Sequence, residues 1–272
     1  MYPPAGGRLW SGSVTRHISL ATDSYLAVPG LDTTLARALL RSVSAGQLGE
    51  TFRIFSPGRV MAFGKRDAIE PGFLKAAAAA ADRGYVPLVR LAGGRAAVFH
   101  EGTLAFGWTT PIEDPRSGIQ GRFELLGALM VRAFARLGVE AAIGEIPGEY
   151  CPGRYSVHHG AHRKVMGVGQ RLAQKAAHVG GVIVVDGAAA INDVLGPVYG
   201  ALEVEFDPTA TGALSEVRPD VTVTAVVDAI VAELQAIAEV TVTTLSSAIV
   251  QEGMALLPDH LVSTVAPDGP SL

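Results

Sequence analysis

The chain has 272 residues, 49% of them hydrophobic, and a formal net charge of −4. That length supports one large core, and the slight acidic excess provides no basic stripe for nucleic acid. No apolar run reaches the roughly 18 residues of a bilayer span, and the segment from Met1 to Arg8 lacks a secretory pattern, so a cytoplasmic protein that does not contact membrane is expected.

Residues 1–14 are rich in Gly, Pro and Ser and are expected to form a flexible segment. Leu31, Leu35, Ala38, Leu39 and Val43 fall at helical spacing over 31–45. Phe52–Phe55 and Val60–Phe63 read as short strands joined by a turn at Ser56-Pro57-Gly58. Pro71 can open a helix through the alanine block 76–81 that stops near Gly84. Three strand-like runs follow, Val86–Leu91, Ala96–Phe99 and Leu104–Thr109. Phe123, Leu126, Leu129, Met130, Ala133, Phe134 and Leu137 make one apolar stripe, the clearest helix of the chain. Residues 144–163, rich in Gly, Pro and His, read as a long loop before a strand pair, Lys164–Leu172 and His178–Val185. Helices are expected over 190–200 and 222–238, and the segment after Leu245 is ambiguous. Strands mixed with helices, some at hairpin-like spacing, predict an α+β fold with a central mixed, largely antiparallel sheet flanked by helices. One domain over 15–240 is expected, with the tail, 241–272, packed on it or following it.

The stretch Arg90-Leu-Ala-Gly-Gly-Arg-Ala-Ala-Val-Phe-His-Glu101 carries the most chemistry. Gly93-Gly94 between two strands lets backbone N–H groups approach a ligand with no Cβ in the way. Arg90, Arg95 and His100 bracket that opening with donors, although a tight turn with charged edges would look the same. A second motif, Arg163-Lys-Val-Met-Gly-Val-Gly-Gln-Arg171, follows about 70 residues later. Cys151, the sole cysteine, lies thirteen positions before Lys164 in a Cys-Pro-Gly loop. A lone cysteine is most often a small buried hydrophobe, but a thiol near an ammonium can be held as thiolate and accept an acyl group.

Together these motifs resemble the signature of the lipoate–protein ligase, octanoyltransferase and biotin ligase superfamily. Weaker echoes are Thr22-Asp23 with Leu26, similar to that family's first-helix signature, and Val60–Asp67, similar to its second strand and turn. The resemblance implies the biotin/lipoate protein ligase catalytic-domain fold. It also implies that Arg90, Gly93, Gly94, Arg95, His100, Gly167 and Gly169 bind substrate. Lys164 would hydrogen-bond the acyl carbonyl and support a thiolate. Cys151 looks like the acyl-accepting cysteine of one octanoyltransferase branch, and the Gly-Gly-Arg turn is nearer that branch than the Gly-Gly-Gly turn of the ligases. Arg154 and Tyr155 are expected to cover the pocket.

The implied activity moves an octanoyl or lipoyl group from acyl carrier protein, through Cys151, to a lysine of a lipoyl carrier domain, with no cofactor. The alternative is an ATP-dependent lipoate–protein ligase acting through lipoyl-adenylate, which would need ATP and Mg. A further alternative is a non-catalytic relative that binds acyl or lipoyl carrier proteins. The Gly-Arg-Gly-Arg-type loop of biotin ligases is absent. His158, His159 and His162 have no second ligand cluster at zinc spacing, so no metal is expected. Gly167-Val-Gly169 lacks the third glycine of a dinucleotide site, and there is no Gly-x-Ser-x-Gly elbow. A single cysteine excludes an intrachain disulfide framework and suits a reducing compartment.

Overall fold

A computed structural model describes residues 16–264; the N-terminal segment expected to be flexible lies outside these described residues. In chain order the elements are β1 (His17–Ala21), α1 (Leu31–Ser44), β2 (Thr51–Phe55), β3 (Val60–Phe63), α2 (Phe73–Ala81), β4 (Val86–Val89), β5 (Ala97–Phe99), β6 (Thr103–Pro111) and α3 (Ile119–Arg136). They continue with β7 (Ala142–Ile143), β8 (Val157–His159), β9 (Arg163–Leu172), β10 (Ala176–Val184), α4 (Ala188–Ala201), α5 (Val223–Gln235), β11 (Glu239–Thr243) and α6 (Ser247–Leu256).

Eight strands form one mixed sheet in the order β11-β1-β2-β6-β10-β9-β8-β7, and three more form a second, β4-β3-β5. From β2 to β7 every pairing in the large sheet is antiparallel, while β1 pairs parallel with both β2 and β11. The apolar stripe of α3 (Leu126, Leu129, Met130, Ala133, Phe134) packs with Val226, Ile230 and Leu234 of α5 against Phe52, Trp108 and Ile183 of the sheet. Alanines 76, 77 and 80 of α2 and Ile191, Leu195 and Val198 of α4 cover the small sheet. The small side chains of the alanine block let α2 lie close to its neighbours, so the block acts in packing as well as in helix propensity.

Several expectations change in detail. The Ser56–Gly58 turn carries the chain from the large sheet to the small one and closes no hairpin. The runs on either side of Gly93-Gly94 do not pair with each other, because β3 lies between them, parallel to β4 and antiparallel to β5. The turn therefore spans the end of a middle strand. Thr22, Asp23 and Leu26 precede the first helix, which starts at Leu31 after Gly30 in the left-handed region (φ 87°). The expected loop over 144–163 contains β8. The ambiguous tail forms α6, capped where Ser246 Oγ accepts from the Ile249 N–H at 3.4 Å, and α6 packs on Leu31, Leu35 and Leu39 of α1. Strand β11 was not expected, although Val240 and Val242 alternate with Thr241 and Thr243 as a strand would. No helix among the described residues is long and apolar enough to cross a membrane.

One register places the site. Gly107 of β6 stands opposite Gly180 of β10, and Gly180 opposite Gly169 of β9. The space left by these three aligned glycines is filled by the His178 ring over Gly107 and Gly180 and by the Gly93 turn over Gly169. A Cβ on Gly169 would sit 2.6 Å from the Gly93 nitrogen, so the glycine turn rests directly on β9.

Candidate active site

Gly93 adopts φ +117°, and a Cβ there would lie 2.3 Å from the Arg90 guanidinium carbon. Glycine at this position thus permits both the turn and the fold of Arg90 back across it. Arg90 Nη2 donates to the Arg95 carbonyl at 2.6 Å and to Cys151 Sγ at 3.2 Å. The Arg95 backbone N–H donates to the same sulfur at 3.3 Å. A Cβ on Gly94 would stand 3.9 Å from Sγ. The Arg95 side chain turns away from the sulfur. Its Nη1 meets Asp67 Oδ1 at 3.3 Å and Glu70 Oε1 at 2.8 Å, and Asp67 also accepts from the Gly64 N–H at 2.8 Å. The guanidinium anchors the turn, and the backbone of Arg95 faces the thiol.

Cys151 is held in the left-handed region at φ +44°, which a non-glycine residue adopts only under local constraint. The constraints are visible. Its N–H donates to Tyr199 Oη at 2.8 Å, and that hydroxyl donates to the Ala96 carbonyl at 3.1 Å. Lys164 Nζ donates to the carbonyls of Tyr150 at 2.8 Å and Cys151 at 2.9 Å. It also lies 3.5 Å from Glu149 Oε1. Glu149 Oε1 further accepts from the Gly153 N–H at 2.7 Å and from Ser156 Oγ at 2.8 Å. Burial pushes the Cys151 thiol up, but the Arg90 and Lys164 charges and the N–H groups of Arg95 and Gly94 outweigh it, leaving the thiol below its ordinary range. Burial likewise pushes Lys164 down, opposed by Cys151 and Glu149.

The structure therefore brings Cys151, Lys164, Arg90, Gly93, Gly94 and the Arg95 backbone together. Gly167 flanks the Lys164 side chain, with 3.7 Å from its Cβ position to Nζ, and Gly169 supports the turn. His100 stands apart. Its Nδ1 accepts from the Gly102 N–H at 3.0 Å, and its ring packs where Cβ atoms on Gly102 and Gly187 would lie. Arg154 is exposed and Tyr155 stacks on Phe123 of α3 at 4.6 Å; neither donates to the sulfur. Lys164 Nζ donates to two carbonyls of its own loop and pairs with Glu149 at 3.5 Å, so in this conformation it is turned toward the protein.

Sequence reasoning missed Glu149, Tyr199, Asp67 and His178. A small cavity of about 60 Å³ beside Arg90 is lined by Leu91, Ala92, Phe99, Ala105, Gly180 and His178. His178 is buried, its Nδ1 lies 2.8 Å from Thr109 Oγ1, and its ring occupies the space where Cβ atoms on Gly107 and Gly180 would be. The His178-Val-Gly-Gly181 spacing was the available signal. A wider open hollow of about 710 Å³ lies on the other side of Tyr199, between Gly148, Gly200 and Phe206; Cys151 does not line it. Among the described residues no group of three or more His, Cys, Asp or Glu could hold a metal ion.

The site is thus a polarised thiol set against a glycine turn on a largely antiparallel mixed sheet. The chain belongs to the lipoyl protein ligase A/B catalytic domain family, whose model matches residues 30–235. It is 31% identical over 153 residues to the octanoyl-[GcvH]:protein N-octanoyltransferase of Geobacillus kaustophilus, covering 56% of this chain and 54% of that one. A protein of the same name from Bacillus velezensis is 28% identical over 185 residues, 67% of this chain and 63% of that one. The chain thus spans little more than half the length of the curated relatives it matches. In fold it resembles lipoate-protein ligase A bound with ATP, at TM-score 0.71 and 16% identity, covering 89% of this chain and 94% of that one. It also resembles the bi-partite lipoate protein ligase of Thermoplasma acidophilum, at TM-score 0.63 and 15% identity, covering 90% and 92%.

Proposed function

We propose that this chain transfers an octanoyl group to a lysine of a lipoyl carrier domain through a thioester on Cys151. The observation that carries the reading is the sulfur itself, which accepts from Arg90 Nη2 at 3.2 Å and from the Arg95 N–H at 3.3 Å. Those donors stabilise a thiolate, the form that attacks an acyl carbonyl. The sulfur forms a bond to the acyl carbon, and the donor's leaving group departs. The acceptor amine then attacks the thioester, the C–S bond breaks with its electron pair on sulfur, and the amine proton goes to solvent.

The relatives' shared name gives octanoyl-[GcvH] as donor, and we favour that source, with the octanoyl group held as an amide, over the acyl carrier protein thioester expected from sequence. With an amide donor the C–N bond breaks and the leaving amine takes up a proton from solvent, and the bond broken is of the same class as the bond finally made. The exchange then needs neither ATP nor Mg. A reaction that depends on a free thiol fits the cytoplasm, where thiols stay reduced.

The test is intact mass after incubation with octanoyl-GcvH or octanoyl-acyl carrier protein, for the native chain and Cys151→Ser. An octanoyl adduct on the native chain only, with transfer lost in the variant, is expected. Near-native transfer by Cys151→Ser, or pyrophosphate release from ATP with free lipoate, would overturn the reading in favour of a ligase.

A further inference from the structure

The Cys151 loop contains a second buried charge that the transfer reaction does not itself require. Glu149 is buried beneath the loop, its Oε1 is 3.5 Å from Lys164 Nζ, and its Oε2 is buried with no hydrogen-bond partner. The groups that face Lys164 are Glu149, Tyr150 and Cys151 from this loop and Arg90 from the turn after β4. With Cys151 as thiolate and Glu149 as carboxylate, the two anions balance the Arg90 and Lys164 cations. Acylation changes that balance, because a thioester sulfur carries no charge. Two cations then share the site with one anion. A buried ammonium that loses its counter-charge loses its proton more readily, whereas an opposite charge within about 4–6 Å retains it.

We propose that Glu149 is a positioning residue that keeps Lys164 charged, and seated on the Tyr150 and Cys151 carbonyls, throughout the life of the acyl-enzyme. This rests on the Cys151 thioester reading. Its consequence falls on the second half of the reaction. When the amine attacks and the C–S bond breaks, the electron pair returns to Sγ beside a positive charge that is already in place. Glu149 acts through Lys164 Nζ, 3.5 Å away, and is not among the groups that touch the sulfur. The hydrogen bonds from Gly153 and Ser156 fix the carboxylate, so its distance to Nζ does not depend on what Cys151 carries.

The test separates the two half-reactions. The full chain is loaded with a small octanoyl thioester, Cys151 occupancy is read by intact mass, and discharge by hydroxylamine is followed from about pH 7 to about 10, where that nucleophile is neutral and a lysine titrates. Discharge from the denatured acyl-enzyme is subtracted. The native chain should keep its enzyme-dependent rate to a higher pH than Glu149→Gln does. Glu149→Gln should load at a rate within a few-fold of native but show a descending limb at least about one pH unit lower. Superimposable discharge profiles, or equal losses in loading and discharge, would overturn the inference alone. A descending limb near neutral pH in the native chain would overturn it without any variant, which covers the case in which Glu149→Gln fails to fold. Failure of Cys151 to load would instead overturn the proposed function, and this inference with it.

Discussion

Arg90 bridges the sulfur of Cys151 and the carbonyl of Arg95 with a single nitrogen, 3.2 Å from one and 2.6 Å from the other. One guanidinium thus sets both the charge at the thiol and the shape of the turn that faces it. Arg90→Met should move the midpoint of Cys151 alkylation against pH upward, because a charge that opposes the effect of burial on the thiol is lost. Arg90→Lys should fall between native and Met, since it keeps the charge and loses the planar fork. Iodoacetamide labelling rates across pH check this; an unmoved midpoint in Arg90→Met removes the guanidinium from thiol activation.

Gly64 bears on the same turn from the opposite side. A Cβ there would lie 1.8 Å from the Gly94 carbonyl oxygen, which is backbone and can yield only by moving the turn. Gly64→Ala should therefore withdraw the Arg95 N–H from the sulfur and slow thiol alkylation at neutral pH. Overpacking of this kind typically costs about 1–3 kcal/mol. Urea melts alongside alkylation read both effects, and native values for both would show that the turn relaxes freely.

A surface lysine could be removed at little cost to folding, but Lys164 is 1% exposed and paired with a fully buried carboxylate. Lys164→Ala leaves Glu149 uncompensated, a change that typically costs about 3–5 kcal/mol. Losing a stabilising donor or charge at a reacting centre typically slows the chemistry ~10²–10³-fold. Single-turnover transfer, measured with urea unfolding on the same samples, should show both losses. A stable Lys164→Ala with a near-native rate would remove Lys164 from the mechanism.

His178 makes folding pH-dependent. Burial pushes its imidazole down to about 4, below its ordinary 6.5. As pH falls through 6.5 the unfolded chain takes up a proton that the folded chain refuses until about 4. Stability is therefore lost between those values, by up to about 3 kcal/mol for this group, and the loss is complete below them. Urea midpoints of native and His178→Asn chains across that window should converge toward low pH. Parallel curves would show that His178 titrates as it does in the unfolded chain.

Much of the site was legible because its core is local in sequence. Cys151 and Lys164 are thirteen positions apart on one loop and strand, and Gly93, Gly94 and Arg95 are contiguous. What escaped depends on direction and on distant partners. Nothing in the string around Arg95 shows that its side chain pairs with Asp67 and Glu70 while its N–H faces the sulfur. Tyr199 reads as one more apolar residue of an amphipathic helix, and only the docking of α4 brings its hydroxyl to Cys151. His100 is adjacent in sequence to strand β5, yet packs beneath Gly102 and Gly187, away from the thiol. The amphipathic helices were readable from their apolar periods. The crossing of β3 between β4 and β5 was not, because pairing order leaves no mark on a period of two.

The Tyr199 hydroxyl, shared between the Cys151 N–H and the Ala96 carbonyl, makes the reactivity of the cysteine a late product of folding. The turn at residues 90–95, the cysteine loop and α4 come from three separate parts of the chain and meet only when the small sheet and its helices have docked. Until then the thiol has the ordinary acidity of an unfolded cysteine, pKa near 8.5, and is mostly protonated at neutral pH. A chain still emerging from synthesis would meet acyl donors with an inert sulfur, and its nucleophile would switch on only when the fold was complete.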